Sequence, residues 1–401
     1  MAFACIEDLR LAAKRKLPKV FFDYVDGGAF GEKTATANVR DFDALLLEQR
    51  VLTGIYKRDL SVTILGKTQA LPLILGPVGF SGLLAPQGEI LAARAANEAG
   101  VPYCPSNFSV ATIEELRAAT DRDLWFQLYI LKDRTLTRSF VERAANAGVQ
   151  TLCITVDGSA GRVGERDVRN GFQRTTTITP RLLAAMLTKP RWCLEVALGG
   201  VPKVGNLADR PEFGNTILQQ ATHLANQVDP TITWDDVRRL RDTWKGKLVV
   251  KGVLHVEDAH QAVSAGADAI VVSNHGGRDL DGAPSTITVL PEIADAVGAL
   301  TDVLMDSGIR RGSDIVKALA LGAKGVMIGR AYAFGLAAAG QDGVAKAIDM
   351  LRTELDITMA HMGVANTADL YKRRKQLVRV APLQSDALTP RRPRAFKCDS
   401  V

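Results

Sequence analysis

The segment S-N-H-G-G-R-D-L-D-G at 273–282 carries the strongest chemical signal in the sequence. His275 closes a short apolar run, Gly276 and Gly277 permit close backbone approach, and Arg278 follows three residues on. A neutral imidazole can take a proton from a substrate, and a carboxylate such as Asp157 can hold the ring and then stabilise the imidazolium. The other histidines, His223, His255, His260 and His361, lie in helical or loop surroundings and read as surface or capping groups. A second cluster is glycine-rich and cationic: D-S-G-I-R-R-G-S-D-I-V-K at 306–317 and I-G-R-A at 328–331. Free N–H groups, helix N-termini and fixed guanidinium charge suit a phosphate there, with Arg310, Gly329 and Arg330 as its ligands; surface ion pairing is the alternative. Lys251 ends the apolar run L-V-V-K-G, where a cation needs an anionic partner. A flavin that is negative at N1 when reduced would serve, and so would a nearby carboxylate. No G-x-G-x-x-G follows a strand, so a Rossmann nicotinamide site is not expected.

These residues need elements that bring them together. An Ala-rich amphipathic stretch ending in Gly, followed at once by a β-branched run, recurs at 93–106, 142–157, 259–277 and 316–330. Gly at the helix C′ position ends each helix without Cβ strain, and near-continuous apolar runs suit strands buried on both faces. Eight such runs are read as strands: 71–77, 101–106, 124–130, 151–157, 247–252, 268–274, 302–308 and 324–330. Eight parallel strands alternating with helices predict an α/β fold, a single (β/α)₈ TIM barrel. Residues 1–60 are expected to form a helical cap, 158–245 a long insertion after the fourth strand, and 383–401 a polar tail beyond a catalytic unit spanning 1–382. The strand ends carry Pro77, Gly79, Ser106, Gln127, Tyr129, Thr155, Asp157, Lys251, Ser273, Asn274, His275, Asp306, Gly329 and Arg330. In a barrel these ends converge on the face where active sites lie.

Composition excludes several classes. The 401 residues are 47% hydrophobic and 23% charged, which is ordinary for a soluble globular chain. The formal charge of +6 comes partly from the tail, and no aromatic platform interleaves it, so nucleic-acid binding is not expected. Five scattered cysteines without a C-x-x-C pair suggest a reducing compartment and no metal site. Residues 1–20 lack an apolar signal core, and a cytoplasmic location is expected.

The S-N-H-G-G-R-D-L-D-G, D-S-G-I-R-R-G-S-D-I-V-K-A-L-A-L-G-A and W-F-Q-L-Y segments together resemble the FMN-dependent α-hydroxy-acid oxidising enzymes, from about residue 5 to 375. Gly76-Pro77-Val78-Gly79 and Asp306-Ser307-Gly308 lean toward the mandelate dehydrogenase branch of that family. The resemblance implies oxidation of an (S)-2-hydroxy carbonyl substrate, with electrons passing through FMN to oxygen or a quinone, in a homotetramer. It implies that Pro77, Val78, Gly79, Ser106, Gln127, Thr155, Lys251, Ser273, Asp306, Gly308, Arg310, Gly329 and Arg330 hold the flavin. It implies substrate contacts from Tyr24, Tyr129 and Arg278, with Phe108 over the substrate side chain, His275 as base and Asp157 in support. One departure stands out: where the family places an arginine for the substrate carboxylate, this chain has Gly164, with Arg162 two residues away. A neutral hydroxy ester, or a lactone such as pantolactone, then becomes a candidate substrate beside mandelate- or lactate-like acids. The stretch 180–200, apolar with basic residues and Trp192, is a candidate for peripheral membrane contact, as the resemblance to the mandelate dehydrogenase branch implies; a subunit interface or a lid is the alternative. An FMN-dependent barrel isomerase, or a flavin-binding protein without turnover, is the alternative reading.

Overall fold

In the structure, a computed structural model, the described residues are 2–158, 161, 163–172, 175–200 and 202–381. Arg162 and the tail at 383–401 therefore lie outside them. Seven parallel strands pair in one curled sheet: Leu73–Leu75, Trp125–Leu128, Thr151–Thr155, Lys247–Val253, Ala269–Val272, Asp302–Met305 and Gly325–Ile328. The sequence reads 101–106 as an eighth strand, but there the structure has only a bridge. Tyr103 pairs in parallel with Leu75 on one side and Leu124 on the other, and this closes the (β/α)₈ barrel. Pro102 and Pro105 lack the N–H groups that a longer ladder requires. Their carbonyls still accept from Leu75 and Gln127 at 3.0 and 2.9 Å.

Side chains alternate along a strand, and that period of two builds the site. One apolar layer inside the barrel consists of Ile74, Cys104, Trp125, Cys153, Val249, Val271, Leu304 and Met327, one from each strand position. Two residues further along each strand stand Gly76, Ser106, Gln127, Thr155, Lys251, Ser273, Asp306 and Gly329. The layer above the dry core is thus polar or side-chain-free at every position. Below it, a hairpin of Val62–Ile64 and Lys67–Gln69 closes the N-terminal end with Ile64 and Leu65. Leu65 and Gly66 both have positive φ (52° and 80°), as a tight two-residue hairpin turn requires.

The N-terminal cap is helical as expected only through its first part: Ile6–Lys16, Lys19–Asp26, Lys33–Arg40 and a 3₁₀ turn at Asp41–Ala44. Beyond it, Leu45–Leu47 is a strand, antiparallel to Val378–Val380, so its partner is more than three hundred residues away. The stretch after the fourth strand contains the helices Glu165–Arg169, Pro180–Leu187, Pro190–Leu198, Ile217–Gln227 and Trp234–Thr243. The last leads into the fifth strand and serves as its crossover helix, so the excursion proper ends before Trp234.

Candidate active site

A cavity of about 680 Å³ opens at the C-terminal ends of the strands. Of the residues expected there, Pro77, Val78, Gly79, Ser106, Gln127, Thr155, Lys251, Asp306, Gly308, Arg310, Gly329 and Arg330 line it, as do Tyr24, Phe108, Tyr129, Gly164, His275 and Arg278. Ser273 lies just behind, with its hydroxyl between the Lys251 ammonium at 2.9 Å and the His275 backbone N–H at 3.1 Å. Asp157 stands behind His275.

His275 has φ +56°, and Gly276 and Gly277 follow at +69° and +70°. Three successive left-handed residues turn the chain sharply, a conformation that only glycine adopts freely. A Cβ on Gly277 would lie 2.4 Å from the Ala35 nitrogen. His275 Nδ1 lies 2.8 Å from Asp157 Oδ1, which fixes the proton on that nitrogen and leaves Nε2 toward the cavity, 3.4 Å from the Tyr129 hydroxyl. Gly252, at a bulge in the fifth strand, makes room for this pair: a Cβ there would lie 2.6 Å from Asp157 Cγ. Burial disfavours the imidazolium, but the charges of Asp279 and Asp157 outweigh it, and the His275 pKa is raised. Burial likewise pushes the Asp157 carboxyl up, yet His275 and Lys251 hold it below its ordinary value. Tyr129 stays protonated: burial first, then the charges of Asp157 and Asp279, raise it well above the usual phenol.

Lys251 meets the second of its two expected partners, a carboxylate of the barrel, with Nζ 2.9 Å from Asp306 Oδ2. Burial opposes its charge, while Asp306 and Asp157 more than restore it. Arg330 donates its guanidinium N–H groups to the carbonyls of Val25, Gly27 and Gly276 at 3.0, 2.7 and 2.8 Å, tying the N-terminal cap to the His275 loop. Its backbone N–H starts the helix after Gly329, among the N–H groups that lack an intrahelical acceptor. Arg278 donates to the Tyr24 carbonyl at 2.7 Å and stacks over the Tyr24 ring.

Three features fit a phosphorylated flavin. Arg310 lines the cavity, burial lowers its pKa, and it has no ion-pair partner within 4 Å among the described residues. Among the described residues its guanidinium donates only to the Ile309 carbonyl, at 2.9 Å, and it lies over the Phe334 ring. A desolvated cation without an ion-pair partner, with only the more distant charges of Asp26 and Asp314 to support it, suits an anion. Gln127 Nε2 and Thr155 Oγ1 are buried at the cavity wall and have no hydrogen-bond partner among the described residues, placed for the polar edge of a ring system. Buried polar atoms in that condition call for a ligand.

The residues 13–377 match the model of the FMN-dependent dehydrogenase family. The chain belongs to that family. It is therefore an FMN-dependent oxidoreductase of the α-hydroxy-acid oxidising type. It is 46% identical over 371 residues to an L-lactate dehydrogenase of Caulobacter vibrioides, covering 92% of this chain and 97% of that protein. An L-lactate dehydrogenase of Pseudomonas syringae pv. syringae is 45% identical over 367 residues, covering 91% and 96%. Among solved structures, the monotopic membrane protein (S)-mandelate dehydrogenase superposes with a TM-score of 0.89 at 37% identity, covering 95% of this chain and all of that one. A mandelate oxidase with benzoyl-formic acid bound superposes with a TM-score of 0.79 at 35% identity, covering 95% and 99%.

Sequence reasoning missed two carboxylates. Asp167 is buried at the cavity, and its Oδ2 lies 2.6 Å from where a Cβ on Gly164 would stand. Asp279 Oδ2 lies 3.1 Å from His275 Nδ1, so a ring nitrogen of His275 and one carboxylate oxygen each of Asp157 and Asp279 lie within 4.8 Å of one another. The available signal was the pair of glycines after His275, which permits a turn tight enough to return residue 279 to residue 275.

Proposed function

We propose that this enzyme oxidises an (S)-2-hydroxy carbonyl compound to the 2-oxo compound, with His275 as the base. One observation carries the assignment: an imidazole held by a carboxylate at Nδ1 presents Nε2 to the cavity beside a protonated Tyr129. FMN would be held by Arg310 and the helix start at Gly329 through its phosphate, and by Gln127, Thr155 and the 77–79 backbone around its ring. When bound, it takes up the two electrons released at the carbinol carbon and passes them to oxygen or a quinone. His275 Nε2 receives the substrate proton, and Asp157 stabilises the imidazolium that results. The Tyr129 hydroxyl donates to a substrate oxygen, and Arg278 holds the carbonyl end. Phe108, whose ring packs edge-on to Phe80 and Tyr129, covers the substrate side chain.

For the substrate, position 164 favours a neutral carbonyl group. Gly164 itself carries no side chain, and among the described residues the nearest atom to that space is a carboxylate oxygen of Asp167. An ester or lactone needs no second cation, whereas a free carboxylate gains from one. The second reading, a simple 2-hydroxy acid, is favoured by relatives that are named L-lactate dehydrogenases. Anaerobic flavin reduction by lactate and mandelate, against their methyl esters and pantolactone, decides between them. A kcat/KM for the best neutral compound at or above that of the acids supports the first reading; a clear preference for the acids supports the second.

We further infer peripheral membrane contact through 180–200. Among the described residues no helix is long and apolar enough to cross a membrane. Leu183, Leu187, Leu194 and Leu198 are nevertheless exposed on two short helices beside Arg181, Lys189 and Arg191. Apolar side chains flanked by cations suit an anionic interface, on the inner face of the cell envelope. Co-sedimentation with anionic vesicles, lost on Leu187→Ser with Leu198→Ser, is the expected result. In this reading 1–382 is one catalytic unit with an appended tail, and light scattering should show the homotetramer that the resemblance implies.

A further inference from the structure

We propose that Asp279 is a second positioning carboxylate for the base, and that its charge sets the pH at which His275 becomes available. The inference rests on His275 being the base. Asp157 and Asp279 approach the same ring nitrogen, at 2.8 and 3.1 Å, but not in the same way. The Nδ1–H hydrogen bond goes to Asp157, which comes from the end of the fourth barrel strand. Asp279 lies on the ring's own loop, brought back four residues later by the left-handed turn at 275–277. No hydrogen-bond donor reaches Asp279 Oδ2 among the described residues, so this oxygen acts on the ring by charge rather than by alignment. Asp157 orients the imidazole; Asp279 adds negative potential to it.

The other charged and titratable groups around the ring come from several elements. Lys251, on the fifth strand, opposes the imidazolium. Tyr129, beyond the third strand, faces Nε2 with a neutral phenol. Tyr24 and Arg278 close the cavity beside them. With Lys251 held against Asp306, the two carboxylates at Nδ1 outweigh it, and the ring is a stronger base than an isolated histidine. The consequence is directional. The neutral ring is the form that accepts the substrate proton, so activity rises with pH through a His275 pKa that Asp279 holds up.

The test is Asp279→Asn, which keeps shape and removes charge, beside Asp279→Glu, which keeps charge. Two readouts are taken on the FMN-loaded protein: the acidic limb of kcat/KM against pH, and the His275 titration followed by ¹⁵N-histidine NMR, assigned with His275→Gln. Removing a unit charge this close should move both to lower pH by about 1 unit or more, while Asp279→Glu stays nearer the parent. Limbs that coincide for the parent and Asp279→Asn, with His275→Gln inactive, overturn the role of Asp279 alone. An active His275→Gln overturns the assignment of the base itself. Should Asp279→Asn not retain flavin, the His275 titration is read by NMR on the flavin-free variant against the flavin-free parent, where a shift to lower pH supports the proposal and coinciding titrations overturn it.

Discussion

Replacing Arg310 by Met should weaken FMN binding without weakening riboflavin binding, and should do so without destabilising the empty protein. The guanidinium is desolvated, and among the described residues it lacks an ion-pair partner and donates only to the Ile309 carbonyl. In the ligand-free protein its charge is thus a net cost, and a Met of similar reach removes that cost. With FMN present, the remaining N–H groups can make a two-pronged contact to the phosphate. Each charge-assisted hydrogen bond contributes about 1.5–3 kcal/mol, so losing two costs about 3 kcal/mol or more. That corresponds to a Kd higher by ~10²-fold or more. Quenching of flavin fluorescence on titration into apoprotein measures both ligands, and a thermal scan of the apoprotein measures stability. Riboflavin lacks the phosphate and should bind the variant and the parent alike. An equal loss for both flavins, or an apoprotein melting well below the parent, would refute the assignment of Arg310 to the phosphate.

Other outcomes follow from the same geometry. His275→Gln should retain yellow, FMN-loaded protein while flavin reduction by substrate slows by ~10²–10⁴-fold in stopped-flow, the usual loss for a general base. His275 has a raised pKa, so the stability it contributes is complete below its unfolded value and fades as pH rises through the folded one. Asp157, held low, contributes stability that is complete above its unfolded pKa and is lost as pH falls through the folded one; denaturant midpoints against pH read both. Gly308→Ala should fail to fold or melt far lower, because φ is +85° and the new Cβ would lie 1.9 Å from the Asn38 carbonyl oxygen. Gly164→Arg meets no backbone strain, since φ is −89°, but requires Asp167 to swing aside. Steady-state assays should then show preference moving toward free acids by ~10–100-fold, the contribution of one charge-assisted contact.

The polar layer was legible because it follows from alternation along short apolar runs. Once the eight runs are aligned, Gln127, Thr155, Lys251 and Asp306 all project inward above the core. The second run reads as a strand and takes a strand's place in the barrel, but Pro102 and Pro105 allow two carbonyl acceptors and only a bridge at Tyr103. What stayed hidden depends on contacts between distant segments. The pairing of Leu45–Leu47 with Val378–Val380 has no local signature. Arg330 reads as a phosphate ligand from its place after Gly329, yet its side chain joins the Val25, Gly27 and Gly276 carbonyls, which no local pattern announces. Asp279 was in plain view within a motif, but its approach to His275 depends on three consecutive positive φ angles.

The central claim is that His275, held by Asp157, takes a proton from a 2-hydroxy carbonyl compound as its electrons pass to bound FMN. Anaerobic stopped-flow absorbance of the flavin tests it most directly, with the parent and His275→Gln mixed against the panel of 2-hydroxy acids, esters and lactones. The account predicts full bleaching of the parent by at least one 2-hydroxy compound, and a variant that keeps its flavin but bleaches at least ~10²-fold more slowly. A flavin that no member of the panel reduces, or a variant that bleaches at the parent's rate, would contradict it.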